Sequence, residues 1–288
     1  MAARISVVIN TLDAEAELPA ALRSVTPWAD EVVVVDMQST DRTAEIARAA
    51  GAIVHGHERA GFVEPARAFA VARASGDWIL ILDADEVVPG TLAARLRSIA
   101  ARSDVDVVVL PRRNWIFGAP MRGGGWAPGQ DAHARFFRPG ALRLPTRIHG
   151  ALAPEPGRRV LDLRHEPDAA LVHFNYVNVA QFLARLDRYT TVEARLAAED
   201  GRRPSWARTA LRGVREFTSR MFRLAGWRDG WRGVALAGLM AHYHFVTEVK
   251  LREIRAGASA EEIRRRYAEA AERLVPGPGP DSAGPEHR

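Results

Sequence analysis

Trp78-Ile79-Leu80-Ile81-Leu82-Asp83-Ala84-Asp85-Glu86 is the stretch that decides the fold. Five apolar residues in an unbroken run, ended by acids, read as a strand buried on both faces, the kind that a helix-covered parallel sheet contains. Ligands of open α/β sheets gather at the carboxyl ends of strands, so acids placed there are candidates for chemistry. A single strand-end Asp is often only a helix cap. Three acids in four positions exceed what a cap requires. Asp83 and Asp85 are two apart, which in an extended segment puts them on one side. Two carboxylates held together repel, and one would stay protonated unless a cation intervened. A divalent cation removes the conflict, and hard oxygen ligands in a chain without cysteine select Mg2+ or Mn2+.

Outward from that strand, short β-branched runs alternate with Ala/Arg/Glu-rich segments of helical period. The strands expected are 5–9, 31–36, 52–55, 78–83 and 105–110, and the helices 15–24, 40–50, 64–74 and 91–101. Ser39 is the expected N-cap of the second helix and Gly51 its left-handed stop. From 111 to 170 Pro, Gly, Arg and aromatic residues replace the periodic pattern, as on a functional surface. From 177 the chain reads as helices over 177–199, 205–225, 230–255 and 260–274, and the Pro/Gly-rich end as disordered. The domains expected are therefore a catalytic domain over 1–176, divided near 110, a basic helical region over 177–275, and a tail over 276–288.

With 288 residues, 47% of them hydrophobic, the chain is long enough for a substantial core. The absence of cysteine excludes a disulfide scaffold, a thiolate metal site and a cysteine nucleophile, and makes a reducing cytoplasm the default compartment. The net charge of +5 is local: residues 202–255 carry 12 Lys/Arg against 4 Asp/Glu, whereas residues 1–201 carry 23 against 25. A near-neutral sheet region with acid-rich strand ends argues against nucleic acid. No leader is expected from MAARISVVINTL, and the uncharged run 233–247 is shorter than the roughly 20 residues of a spanning helix.

The ordered strings ISVVINTLDAE (5–15), DEVVVVDMQSTDRTAEIA (30–47) and EPARAFAVARASGDWILILDADE (64–86) resemble the family 2 glycosyltransferases. Within them the chain looks most like the bacterial branch acting on lipopolysaccharide core and related cell-envelope glycans. The resemblance implies an α/β fold, a glycosyltransferase-A type sheet for nucleotide-diphosphate sugars, flanked by helices, with a helical C-terminal extension. It implies that Thr11 and Asp36 hold base and ribose, that Arg67 lies near the nucleotide, and that Asp83 is the first acid of the metal motif. It makes Asp85 the direct ligand of Mn2+ or Mg2+. Asp13 departs from the Asn that many relatives carry.

Asp131-Ala132-His133-Ala134-Arg135-Phe136-Phe137 resembles the acceptor-side motif, which makes Asp131 the expected general base, with Glu86 and His133 as competitors. His173 either completes the metal site, touches the diphosphate or is structural, and His149 is a further imidazole at a motif-like position. Gly123-Gly124-Gly125, flanked by Trp115, Phe117 and Trp126, suggests a mobile sugar-stacking lid. Arginines interleaved with Trp206, Phe217, Phe222, Trp227 and Trp231 suit either an anionic membrane surface or a helical bundle. The expected activity is inverting transfer from a nucleotide-diphosphate sugar to a glycan or lipid-linked acceptor, in the cytoplasm or at the inner face of the membrane. The alternatives are a sugar nucleotidyltransferase, whose glycine-rich basic loop is replaced here by TLDAEAEL, and a non-catalytic basic membrane-surface protein.

Overall fold

The computed structural model describes residues 2–59, 64–144 and 152–275; His149 and the tail 276–288 lie outside them. The chain divides into two compact units, Met1–Phe182 with Glu216–Gly238, and Leu183–Arg215 with Leu239–Arg288. Its strands are β1 (Ile5–Thr11), β2 (Glu31–Asp36), β3 (Ile53–Gly56), β4 (Trp78–Asp83), β5 (Glu86–Val87), β6 (Val107–Ile116), β7 (Ala119–Pro120), β8 (Ala132–Phe137), β9 (Leu142–Arg143), β10 (Ala153–Pro154), β11 (Val160–Asp162) and β12 (Leu171–Phe174). The helices are α1 (Leu18–Val25), α2 (Thr43–Ala49), α3 (Glu64–Val71), α4 (Gly90–Ala100), α5 (Val179–Glu199), α6 (Trp206–Thr218), α7 (Trp231–Ala256) and α8 (Ala260–Leu274).

The main sheet has the order β3-β2-β1-β4-β8-β6-β12-β5, with β7 and β11 also paired to β6. Strands β3, β2, β1 and β4 are parallel, and β8 runs antiparallel between β4 and β6. The apolar runs fill both faces, as their lack of alternation requires: Val7, Ile9, Leu80 and Leu82 pack in one cluster, and Val8, Ile79 and Ile81 in the other. Stacking of Trp78 on Phe136, with centroids 4.5 Å apart, fastens β8 to β4. A mixed sheet flanked by helices, with a helical C-terminal region, is the expected class of fold.

The chain leaves β1 toward β2 and β3 on one side and returns to β4 on the other. The order therefore reverses between β1 and β4, and their carboxyl ends bound the crevice in which such sheets hold ligands.

Several local expectations are corrected. Helix α1 begins at Leu18 and α2 at Thr43, so the acids and hydroxyls before them form a turn. Ser39 caps no helix: its hydroxyl accepts the Asp13 amide at 2.9 Å, and Asp13 has φ 46°. The region after 110 is strand where loop was expected, because β6 continues through Pro111 to Ile116 and the chain returns as β8.

In the second unit Lys250 ties α7 to α5, its ammonium donating to Asp187 Oδ1 at 2.6 Å and Thr190 Oγ1 at 2.9 Å. Helix α8 is capped by Ser259, which accepts the Glu262 amide, but has no buried residue. No helix among the described residues is long and apolar enough to cross a membrane.

Candidate active site

Register alone assembles the crevice. Thr11 lies beside Asp36 across β1 and β2, and Asn10 beside Asp83 across β1 and β4. The side chain of Asn10, Thr11 Oγ1 and Asp36 Oδ1 are buried without a hydrogen-bond partner. Buried polar atoms are normally paired, so orphans concentrated at this strand-end crevice mark a place built for a polar ligand.

The two acids of the Asp83-Ala84-Asp85 motif part company. Asp83 ends β4 between two guanidinium groups, Arg67 at 3.0 Å and Arg135 at 2.8 Å. Burial raises its pKa, but the charges of Arg135 and Arg67 outweigh burial and hold the carboxyl well below the usual range. Glu86 is fully buried, accepts the Asp83 amide at 2.9 Å and lies 3.4 Å from both Arg112 and Arg135. That burial removes Glu86 from any competition for an acceptor proton.

Asp131, immediately before β8, is held by more partners. Arg112 grips it bidentately, with Nε to Oδ2 and Nη2 to Oδ1 both at 3.0 Å. His133 Nε2 lies 2.7 Å from Oδ1, and Asn114 Nδ2 donates to Oδ2 at 2.6 Å. Burial raises the Asp131 pKa, yet the His133 hydrogen bond and the Arg112 charge overcome it and keep the carboxyl ionised far into acid. Arg67, Arg112 and Arg135 thus meet Asp83, Glu86 and Asp131, three cations for three acids.

Asp85 stands outside that balance. Its one ionic neighbour among the described residues is His173, whose Nε2 is 3.4 Å from Oδ2. Asn114 decides the tautomer of His173. Its Nδ2 already donates to Asp131 and to the Trp126 carbonyl at 3.0 Å, so its Oδ1 accepts from His173 Nδ1–H at 2.7 Å. In the neutral ring, the tautomer so selected turns the Nε2 lone pair toward Asp85. One carboxylate and one imidazole are a sparse donor set, and no group of three or more His, Asp or Glu among the described residues is placed to hold a metal ion. A sparse set fits Mg2+ or Mn2+, which commonly take one or two carboxylates and fill the remaining positions with substrate phosphates and water.

Arg112, Asn114 and Arg135 escaped the sequence reading. The signal for Arg135 was present, since 131, 133 and 135 alternate with Ala132, Ala134 and Phe136 at the period of a strand. Arg112 and Asn114 sit two apart on β6, and Asn114 faces His173 in the β12 register.

The glycine run is correspondingly packed rather than free. Leu224 O accepts the Gly124 amide at 2.7 Å, and a Cβ on Gly123 would lie 2.3 Å from Ala225 O. Arg220 donates to Gly124 O at 2.7 Å and lies over Trp126 at 4.4 Å. Trp126 O is in turn bonded to Asn114, so the helical arm after residue 216 supports the acceptor-side acid. Replacing the fully buried Asn114 by Ala should cost about 1–3 kcal/mol of stability by leaving Trp126 O and His173 Nδ1 unpaired. Urea denaturation measures the loss.

Three clustered ion pairs and an unbalanced acid at a sheet's switch point mark a candidate site for a charged ligand. Residues 6–141 match the model of "Glycosyl transferase family 2". They are a family 2 glycosyltransferase domain, and the protein is a glycosyltransferase. The chain is 26% identical over 261 residues to an uncharacterized glycosyltransferase of Rickettsia bellii, covering 87% of each. It is 28% identical to the lipopolysaccharide core biosynthesis glycosyltransferase LpsC of Rhizobium meliloti, covering 86% of this chain and 91% of that one. Among solved structures, glucosyl-3-phosphoglycerate synthase of Mycobacterium tuberculosis in complex with Mn2+, UDP and glucosyl-3-phosphoglycerate is 26% identical over 40% of this chain and 45% of its own, with a TM-score of 0.32. That likeness is too slight to bear weight.

Proposed function

We propose that the protein transfers a sugar, with inversion, from a nucleotide-diphosphate sugar to a hydroxyl of a lipid-linked or cell-envelope glycan. The observation that carries this reading is the placement of Asp85 3.4 Å from His173, which is hydrogen-bonded to Asn114 and through it to Asp131, beside a crevice of orphaned polar atoms. Thr11 and Asp36 offer free oxygens to base and ribose, and Asp83, across from Asn10 on β4, is paired with Arg67 of α3. Asp85 and His173 would hold Mn2+ or Mg2+, which supplies charge neutralisation for a departing diphosphate.

In a single displacement the acceptor oxygen bonds to the anomeric carbon as the carbon–phosphate oxygen bond breaks, and its electron pair leaves with the diphosphate. The hydroxyl proton passes to the acceptor side, where Asp131 is the carboxylate. Both Asp131 oxygens are engaged, which favours a second route on the same side. His133 is 44% exposed at its side chain, and with Nε2 on Asp131 its Nδ1 is open to take the proton while Asp131 orients the ring. The LpsC similarity and the +8 charge of residues 202–255 support an envelope acceptor met at the inner face of the membrane.

Thermal-shift screening of nucleotide sugars with Mn2+ or Mg2+ tests the reading, because a ligand bound only by the native state raises Tm. A nucleoside diphosphate that stabilises only with metal is the expected result. No stabilisation by any nucleotide sugar would reject it.

A further inference from the structure

The arm that buttresses the acceptor loop also carries exposed aromatic side chains, of which Trp231 stacks on Phe117 with centroids 6.1 Å apart. Phe222 is 70% exposed, Trp227 62% and Trp231 60%, all on the first compact unit and within ten residues. Each is followed by an arginine: Phe222-Arg223, Trp227-Arg228, Trp231-Arg232.

None of these three arginines forms an ion pair among the described residues, in contrast to several others on that unit. Arg42, Arg95, Arg102 and Arg159 each meet a carboxylate. Arg223 donates only to Ser219 Oγ at 3.1 Å. Arg232 donates to Phe117 O at 3.0 Å and lies 4.8 Å from the Trp231 ring centroid. Arg228 forms no ion pair among the described residues, and the nearby acid Asp229 is turned onto the Arg122 amide at 2.7 Å. The patch is therefore apolar and cationic at once, with its positive charge uncompensated.

We infer that the turn Ser219–Trp231 is a docking surface for an anionic phospholipid bilayer. Exposed aromatics alone would suit a protein partner equally. The interleaved guanidinium groups decide for lipid, since indole and phenyl rings settle at headgroup depth while unpaired guanidinium forks take phosphate oxygens. Each basic residue near an anionic leaflet adds to the attraction.

The turn is held firmly enough to act as a fixed foot. Gly226, in the middle of the turn, packs backbone to backbone on Gly233 in the first turn of α7, where a Cβ on Gly233 would collide with Gly226 O. Leu224 O accepts from both Gly124 N and Gln130 Nε2, at 2.7 and 3.0 Å. Docking therefore presents the loop 123–126, and through Trp126 O the Asn114–Asp131 pair, toward lipid.

The inference rests on the envelope-acceptor reading for its purpose, but its test does not require turnover. Vesicle flotation with equal parts phosphatidylglycerol and phosphatidylcholine should recover the full-length protein at low salt. Binding should fall at least tenfold on pure phosphatidylcholine and at about 0.5 M salt, where charges are screened within a few ångströms. Phe222→Ser with Trp227→Ser, and separately Arg223→Gln with Arg228→Gln, should each lower binding at least tenfold while leaving metal-dependent nucleotide stabilisation unchanged. A wild-type protein that does not float, or either double variant floating as wild type does, overturns the inference. So does a wild-type dimer that the aromatic variant converts to monomer without any vesicle binding. Loss of nucleotide stabilisation in the wild type would instead count against the glycosyl-transfer reading.

Discussion

Asp85→Ala should lose at least about 1,000-fold in sugar transfer while unfolding at nearly the wild-type temperature. A thousandfold corresponds to about 4 kcal/mol of transition-state stabilisation, within the several kcal/mol that cation stabilisation of a leaving phosphate supplies. The fold should not notice. Asp85 lies in the turn after β4, where its backbone carbonyl accepts the Phe174 amide at 2.9 Å, a bond that alanine keeps. Among the described residues, the one ionic neighbour of its side chain is His173. The stability change should therefore stay within about 0.5 kcal/mol.

The neighbouring acid gives the contrast. Asp83→Ala strips the shared counter-charge from Arg67 and Arg135, both largely buried, and should destabilise by about 3–5 kcal/mol. Thermal unfolding with and without Mn2+ and a nucleoside diphosphate separates the two variants. Asp85→Ala should lose the metal-dependent rise in Tm from an unchanged baseline, and Asp83→Ala should start from a lowered one. An Asp85→Ala protein that keeps a tenth of wild-type activity would remove Asp85 from the reaction.

The parts of this site that the sequence announced lie on β1, β2 and β4, where unbroken apolar runs end abruptly on acids and hydroxyls. Burial makes the pattern there legible, since a strand covered on both faces has no reason for polarity except at its end. The acceptor side was harder to read because the site itself spoils the pattern. Arg112 and Asn114 place polar groups inside β6, so a strand resembled a loop. Arg135 looked like a surface cation until β8 set it against Asp83 and Glu86. The support from Arg220 is ninety-six residues from Gly124 in the chain and has no local signature. The glycines were legible as unusual but not as to cause: close approach of Ala225 O, rather than mobility, excludes a side chain at Gly123.

Asp131→Asn should reduce transfer by about 100- to 10,000-fold, the range for a lost acid–base group, while nucleotide-diphosphate binding persists. The amide keeps the shape and some hydrogen bonding but leaves Arg112 without its bidentate counter-charge, so about 1–3 kcal/mol of stability should go as well. Comparison with His133→Gln then identifies the proton's destination. Because the folded-state pKa of Asp131 is depressed, its pair contributes stability above the ordinary carboxylate range and loses it only as pH falls through the lower folded value. Across mildly acidic and neutral solution Asp131 is uniformly ionised. If its oxygen takes the proton directly, the rate has no acid limb from this group above about pH 4, and His133→Gln, which removes one of the contacts holding Oδ1, leaves most of the activity. If His133 takes the proton and Asp131 orients it, His133→Gln loses about as much as Asp131→Asn, because members of one relay are not additive. Single-turnover rates of both variants across pH 5–9 choose between the two routes. Wild-type rates in Asp131→Asn would exclude both, since each needs the carboxylate.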